Sequence, residues 1–160
     1  MFGGGGFAVT TRDPDFLSRS KYDLIALCDR LLVVDDTEAV EECVAFLEAE
    51  TVRMWHGRAR ALMARRLKRR PLSVSQRERV IHAVLGRLVA GRFSEGFKDQ
   101  LRLILYLDAE RASAAARSVS SNAPEYVRRY AAWVIARAKP RLAAPGAAAD
   151  RGNGDGLPGR

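Results

Sequence analysis

Reactive side chains are scarce in this sequence. Its 160 residues include two cysteines, Cys28 and Cys43, and two histidines, His56 and His82. The cysteines are far from any Cys-x-x-Cys or metal-ligand spacing, so they read as small buried hydrophobes of a reducing compartment. A zinc site needs further ligands at definable spacing, and none accompanies either histidine. His56 follows Trp55 at an expected helix bend, a place for a general base, but has no nucleophile, carboxylate or thiol beside it in sequence. His82 follows Val80-Ile81 and reads as a polar flank. A Gly-rich phosphate loop after a strand, Gly-x-Ser-x-Gly and His-Glu-x-x-His are all missing. The sequence therefore predicts a non-enzymatic protein with no cofactor and no metal.

Long apolar runs are missing too. Nothing approaches the ~18–20 apolar residues that span a bilayer, and Met1-Phe2-Gly3-Gly4-Gly5-Gly6-Phe7 has neither a basic n-region nor an apolar h-region. The expectation is a soluble cytoplasmic protein without a membrane partner. In a eukaryote, Arg65-Arg66-Leu67-Lys68-Arg69-Arg70-Pro71 has the composition of a nuclear-import signal.

Charge is present in excess and is unevenly placed. The net charge is +8. Residues 1–50 carry 11 acids and 4 bases, residues 51–72 carry 8 bases and no acid, and residues 73–139 carry 12 bases and 6 acids. An acidic head on a basic body suits a polyanion, an acidic protein surface or the chain's own other end.

Helical periodicity dominates between Asp36 and Arg70. Val40, Cys43, Val44, Leu47, Met54, Trp55, Ala59, Leu62 and Met63 recur at intervals of three and four. One long helix is expected there, or two with a joint near Gly57, with acids in the first half and bases in the second, as the helix dipole favours. Upstream, Ser20 and Asp23 form a capping box for a helix with Leu24, Ile25, Leu27, Cys28, Leu31 and Leu32 inward. Downstream, Ser73 with Gln76 or Ser75 with Glu78 caps a helix carrying Val80, Ile81, Val84, Leu85, Leu88 and Val89, which Gly91 stops. Ser94 is the expected cap of a helix with Phe97, Leu101, Ile104 and Leu105 inward, and Asp108 that of an Ala-rich helix reaching about Ser120. Pro124 opens the last helix, with Val127, Tyr130, Ala131, Val134 and Ile135 on one side, and Pro140 ends it. Residues 1–15 read as a flexible Gly-rich lead, 16–139 as a single helical domain and 140–160 as a disordered tail.

Ser94 to Leu105 matches Pro124 to Ile135 by residue class at an offset of 30, with Glu95 on Glu125, Phe97 on Val127, Lys98 on Arg128 and Ile104-Leu105 on Val134-Ile135. In the second copy, Pro124-Glu125 leads into Val127-Arg128, Ala131-Ala132 and Val134-Ile135. Residues 76–139 thereby resemble a HEAT-type α-helical repeat, although the extra residue at Tyr126 and the presence of Gly96 and Gln100 depart from it. The resemblance implies antiparallel helix pairs whose stacked surface binds another macromolecule, and it brings no catalytic residue. The fold expected is all-α, with six or seven helices as antiparallel pairs in a small HEAT-like stack or an irregular bundle.

The candidate contact residues are Arg58, Arg65, Arg66, Lys68, Arg69 and Arg70, joined by Tyr126, Arg128 and Arg129. Guanidinium groups make bidentate bonds to phosphate oxygens, but the same run also fits a solvated helix face or a partner for the acidic head. Tyr126 lies off the apolar face, beside two arginines, as at a contact surface. Two functions follow: an interaction or scaffold module binding a partner protein, or a sequence-independent nucleic-acid-binding protein using the Arg-rich helix 58–70. A second copy of the chain is a further candidate partner.

Overall fold

The computed structural model describes residues 16–138. Those residues form seven α-helices and no strand: α1 Lys21–Arg30, α2 Thr37–Glu48, α3 His56–Leu67, α4 Val74–Ala90, α5 Phe97–Leu107, α6 Ala109–Arg117 and α7 Glu125–Ala138. The all-α class and the number of helices are those expected. The lead and the tail lie outside the described residues.

Local chemistry sets most of the ends. Ser20 and Asp23 exchange the two bonds of a capping box at α1, and Ser73 and Gln76 do so at α4, which decides between the two caps there. Asp36 accepts from the Ala39 N–H and Asp108 from the Arg111 N–H, so α2 and α6 each start on an aspartate. Gly91, at φ 71°, closes α4 in the left-handed conformation. The fifth start differs from expectation. Gly96, at φ 73°, is the N-cap of α5, and Ser94 lies outside the helix. The Ala-rich α6 stops at Arg117 rather than near Ser120.

The stretch from Asp36 to Arg70 is two helices, the second of the two expectations, with the joint over 49–55 just before Gly57. Residues 49–55 leave the helical path, and Gly57 lies in the first turn of α3. Trp55 precedes α3 with φ 75°, the one non-glycine residue in that region among the described residues. Gly57 is small for a tertiary reason: an added Cβ would lie 2.9 Å from the Glu95 nitrogen.

Contacts show how the helices are stacked. Lys21 meets Trp55, Asp29 meets Arg66, and Arg70 reaches the Leu31 carbonyl, so α1 and α3 run parallel. Arg58 pairs with Glu95 and Arg65 with Asp99, so α3 and α5 are parallel as well. Phe93 meets Tyr126, Phe97 meets Tyr130 and Arg102 meets Trp133, which extends the row to α7. In the second row, Gln76 bonds Glu41, Arg79 bonds Glu48 and Arg87 bonds the Ala49 carbonyl, so α2 and α4 are parallel, with α6 packed on α4. Consecutive helices fold back, as at α1 and α2, where Arg30 meets Asp36 and Phe16 meets Phe46. The result is two rows, α1–α3–α5–α7 and α2–α4–α6, with the core between them.

That core holds Leu24, Leu27, Cys28, Val44, Phe46, Leu47, Met63, Leu67, Ile81, Leu88, Leu101, Leu103 and Ile104. Each such side chain is worth about 1.5–3 kcal/mol on burial. Three residues expected inside are exposed: Ile25, Leu32 and Val89. Each lies at the edge of its apolar stripe, where a single row of neighbours covers only one flank of the helix. Met54, in the non-helical linker, is also exposed.

Two glycines separate backbone propensity from packing. Gly86, within α4, has nothing within 4 Å of an added Cβ, so Gly86→Ala is expected to raise stability by about 0.5–1 kcal/mol. Gly57→Ala pushes on the Glu95 backbone and is expected to lower it by about 1–3 kcal/mol. Urea midpoints at unchanged m-value measure both.

Candidate functional site

The break between α2 and α3 is held by two buried arginines. Arg60 Nε donates to the Phe46 carbonyl at 3.2 Å, Nη1 to the Thr51 carbonyl at 2.9 Å, and Nη2 to the Ala49 carbonyl and Thr51 Oγ1 at 2.6 Å each. From α4, Arg87 donates to the Ala49 carbonyl, Glu50 Oε1 and Gln100 Oε1. Arg60 lies over the Phe46 ring, 4.7 Å from its centroid. Burial, with Arg87 nearby, pushes the Arg60 guanidinium down to about 10, still charged at neutral pH. Among the described residues no buried side-chain nitrogen or oxygen lacks a hydrogen-bond partner.

His56 belongs to the same cluster. Its Nδ1 lies 2.8 Å from Thr51 Oγ1, its ring packs edge-on to Phe46 at 5.2 Å, and the residue is buried. Burial, then the charges of Arg60 and Arg53, lower its pKa below the usual histidine value. The thiols of Cys28 and Cys43 are buried as expected. Burial pushes the Cys28 thiol up to about 11 and raises Cys43 further. His82 is exposed. No group of three His, Cys, Asp or Glu among the described residues is placed to hold a metal ion.

Outside this cluster, Trp55 stands at the edge of a groove of about 350 Å³ between α1, α3 and the start of α5, lined by Ile25, Cys28, Leu62, Arg65 and Asp99 among others. Lys21 Nζ lies 3.9 Å from the Trp55 ring centroid and Arg58 Cζ 4.9 Å, so the indole is held by two cations. Exposed Val52 and Met54 continue the apolar surface into an adjoining cleft shared with Trp55.

The nine candidate contact residues are distributed as follows. Arg58 pairs with Glu95 at 2.6 Å, Arg66 with Asp29 at 3.0 Å, and Arg65 lies 4.0 Å from Asp99. Arg70 donates to the Leu31 and Val34 carbonyls. Lys68 and Arg69 make no ion pair with any described residue. Arg65, Arg66, Arg69 and Arg70 converge on one groove of about 260 Å³ beside Leu31 and Leu32. Tyr126 is half exposed but anchored: its hydroxyl donates to the Gly91 carbonyl at 2.9 Å and its ring meets Phe93 edge-on. Arg128 donates to the Ala123 carbonyl, and Arg129 lines a separate pocket with Lys98, Tyr130 and Trp133. The acids of α2 face other bases. Glu42 meets Arg19 and Arg30, and Glu41 and Glu48 meet Arg79. Of the acidic head, Asp29 alone among the described residues pairs with the basic run, through Arg66.

Lys21, Arg60 and Arg87 were not singled out by sequence, and Gln100 only as a departure from the repeat pattern. Arg87 and Gln100 are polar residues at inward positions of α4 and α5, and that was the available signal. Comparison with protein-family models, curated proteins and solved structures finds no match for this chain.

The neutral, buried His56 fixes a pH dependence. Its folded pKa is depressed, so the unfolded chain binds more protons as pH falls through about 6.5 and stability is lost in that direction. The melting temperature should drop between pH 7 and 5.5, and His56→Gln should flatten that slope while leaving the loss below about pH 4.5, which belongs to the carboxylates. Calorimetric scans across the range measure it.

Proposed function

We propose that the protein is a non-enzymatic helical interaction module that binds a segment of a partner protein in the groove between α1, α3 and α5. The observation that carries this reading is Trp55. It is a half-exposed indole in the left-handed conformation, held between Lys21 and Arg58 and continuous with exposed Ile25, Val52 and Met54. Tryptophan and arginine at the centre of an apolar patch are the side chains on which protein interfaces concentrate their energy. A soluble monomer seldom leaves such residues together at its surface without a partner.

The groove also defines the chemistry of its occupant. Lys21, Arg58 and Arg65 line it, while Glu95 and Asp99 are drawn toward Arg58 and Arg65. An apolar anchor flanked by carboxylates fits best: the anchor covers Ile25 and Leu62, and the carboxylates meet Lys21 and the outer nitrogens of the arginines. The resemblance of residues 124–135 to a HEAT-type helix favours the same class of function, since stacked helix pairs bind through their row surfaces.

Panning a random peptide display library against the folded protein tests the reading. Enriched peptides should carry an aromatic residue or leucine beside Asp or Glu. They should bind with micromolar dissociation constants and weaken at least tenfold, about 1.4 kcal/mol, on Trp55→Asn. Asparagine tolerates the left-handed conformation, so this variant should melt close to the parent. Failure to enrich any sequence, or equal binding to Trp55→Asn, would sink the proposal.

A further inference from the structure

The two rows of helices differ in charge. Helices α1, α3, α5 and α7 together carry eleven basic and four acidic residues, whereas α2, α4 and α6 carry five basic and six acidic. The acids of the second row are largely engaged: Glu41 and Glu48 by Arg79, and Glu78 by Arg111. In the first row the bases outnumber every carboxylate within reach.

Those bases form one connected band across three helices. Arg65 and Arg69 share a groove at the end of α3. Arg65 lies 4.0 Å from Asp99, and Asp99 bonds Arg102 on α5 at 2.8 Å. Arg102 then lies over the Trp133 ring of α7, 5.6 Å from its centroid, with Arg137 at 4.1 Å and Lys98 at 5.7 Å on the same ring. Arg129 lines the pocket beside Lys98, Tyr130 and Trp133. The one carboxylate inside the band, Asp99, is 17% exposed, against 58% for Arg65 and 48% for Arg102. It acts as a pin beneath the guanidinium groups, and the potential presented outward is positive.

From this geometry we propose a second binding surface: the Arg65–Arg69–Lys98–Arg102–Arg129–Arg137 band takes a nucleic-acid phosphodiester backbone. Packed helices lie 8–10 Å apart, so the band offers cationic groups from one helix after another along a track rather than in one pocket. That suits a polymer of evenly spaced phosphates better than a single phosphate group. Each guanidinium group can give two parallel N–H bonds to one phosphate, and the release of condensed counterions supplies most of the affinity. The contacts proposed are all to phosphates, which carry no sequence information, so the binding proposed is independent of sequence. The band meets the Trp55 groove at Arg65 and Asp99 and runs from there across α5 and α7; Trp55 is not part of it, and it does not depend on the partner-segment reading.

The test uses the full chain and fluorescein-labelled 30-mers, one duplex DNA and one single-stranded RNA, followed by anisotropy between 50 and 200 mM salt. Four to five phosphate contacts predict a slope of log K on log salt of about −4, and a loss of a few hundredfold in affinity over that range. Arg69→Gln, Arg102→Gln and Arg129→Gln combined should lower the slope by about 3, roughly one per arginine, while Arg117→Gln on the opposite row and Trp55→Asn leave it unchanged. Comparing the two probes tells whether duplex or single strand is preferred. No binding at 50 mM salt, a slope indifferent to the triple substitution, or equally tight binding of poly-glutamate at matched charge would overturn the proposal. The last result would assign the band to an acidic protein. Gln at these exposed positions leaves the core intact, and circular dichroism melts of each variant confirm it.

Discussion

The structure depends on how the end of α2 is satisfied. A helix leaves its last four carbonyls without intrahelical donors, and a buried carbonyl without a donor costs about 1–3 kcal/mol. Here the chain leaves the helix at Ala49, and the donors for the Phe46 and Ala49 carbonyls come from two guanidinium groups, Arg60 of α3 and Arg87 of α4. One arginine supplies up to five N–H groups in a fixed fork, so Arg60 can serve Phe46, Ala49 and Thr51 together. Three helices are thereby fastened to a seven-residue linker. The linker's conformation then places Trp55 at the mouth of the α1–α3–α5 groove and starts α3 in register with α5.

The cost of this arrangement is two buried cations side by side, and the surroundings show how it is offset. Burial depresses both guanidinium groups, and the charge of Arg87 depresses Arg60 further. Glu50 bonds Arg87 and lies near Arg92, Gln100 turns its carbonyl oxygen to Arg87, and the Phe46 ring faces Arg60. Removing either arginine would strand carbonyls rather than merely remove a charge. Such a network is stabilising only when complete.

This division also explains what could be read from sequence. Local signals were legible because local chemistry decides them: the boxes at Ser20 and Ser73, the aspartate caps at 36 and 108, and the stop at Gly91 all use donors within a few residues. The break at 49–55 was legible only as one of two alternatives, a joint near Gly57, and neither its extent nor its cause could be read. Its cause lies in Arg60 and Arg87, which look in sequence like two more members of a basic chain. Gly57 drew attention as a joint because glycine is flexible, whereas its role is to admit the Glu95 backbone. Gly96 took the cap expected of Ser94 because the chain enters α5 over Ala61, where an added Cβ would lie 2.6 Å from the Ala61 Cβ. Of the candidate contacts, the groove of Arg65, Arg66, Arg69 and Arg70 came together through simple helical spacing, while Tyr126 is tied down by the distant Gly91 carbonyl.

Charge is ordered by the alternation of the helices. Because each helix packs parallel to its next-but-one neighbour, odd-numbered helices share one face and even-numbered helices the other, and any bias in composition between them becomes a difference between surfaces. Helix α2 carries four glutamates and no base, which puts them in the row where Arg79 answers Glu41 and Glu48 and Arg111 answers Glu78. Arg65 of α3, Arg102 of α5 and the arginines of α7 then face solvent, with Asp99 pinned beneath Arg65 and Arg102. Along the chain the same residues look like an acidic head on a basic body. In the fold, that gradient along the sequence becomes a contrast across the molecule, and a face with that contrast can steer a polyanion from beyond the reach of any single ion pair.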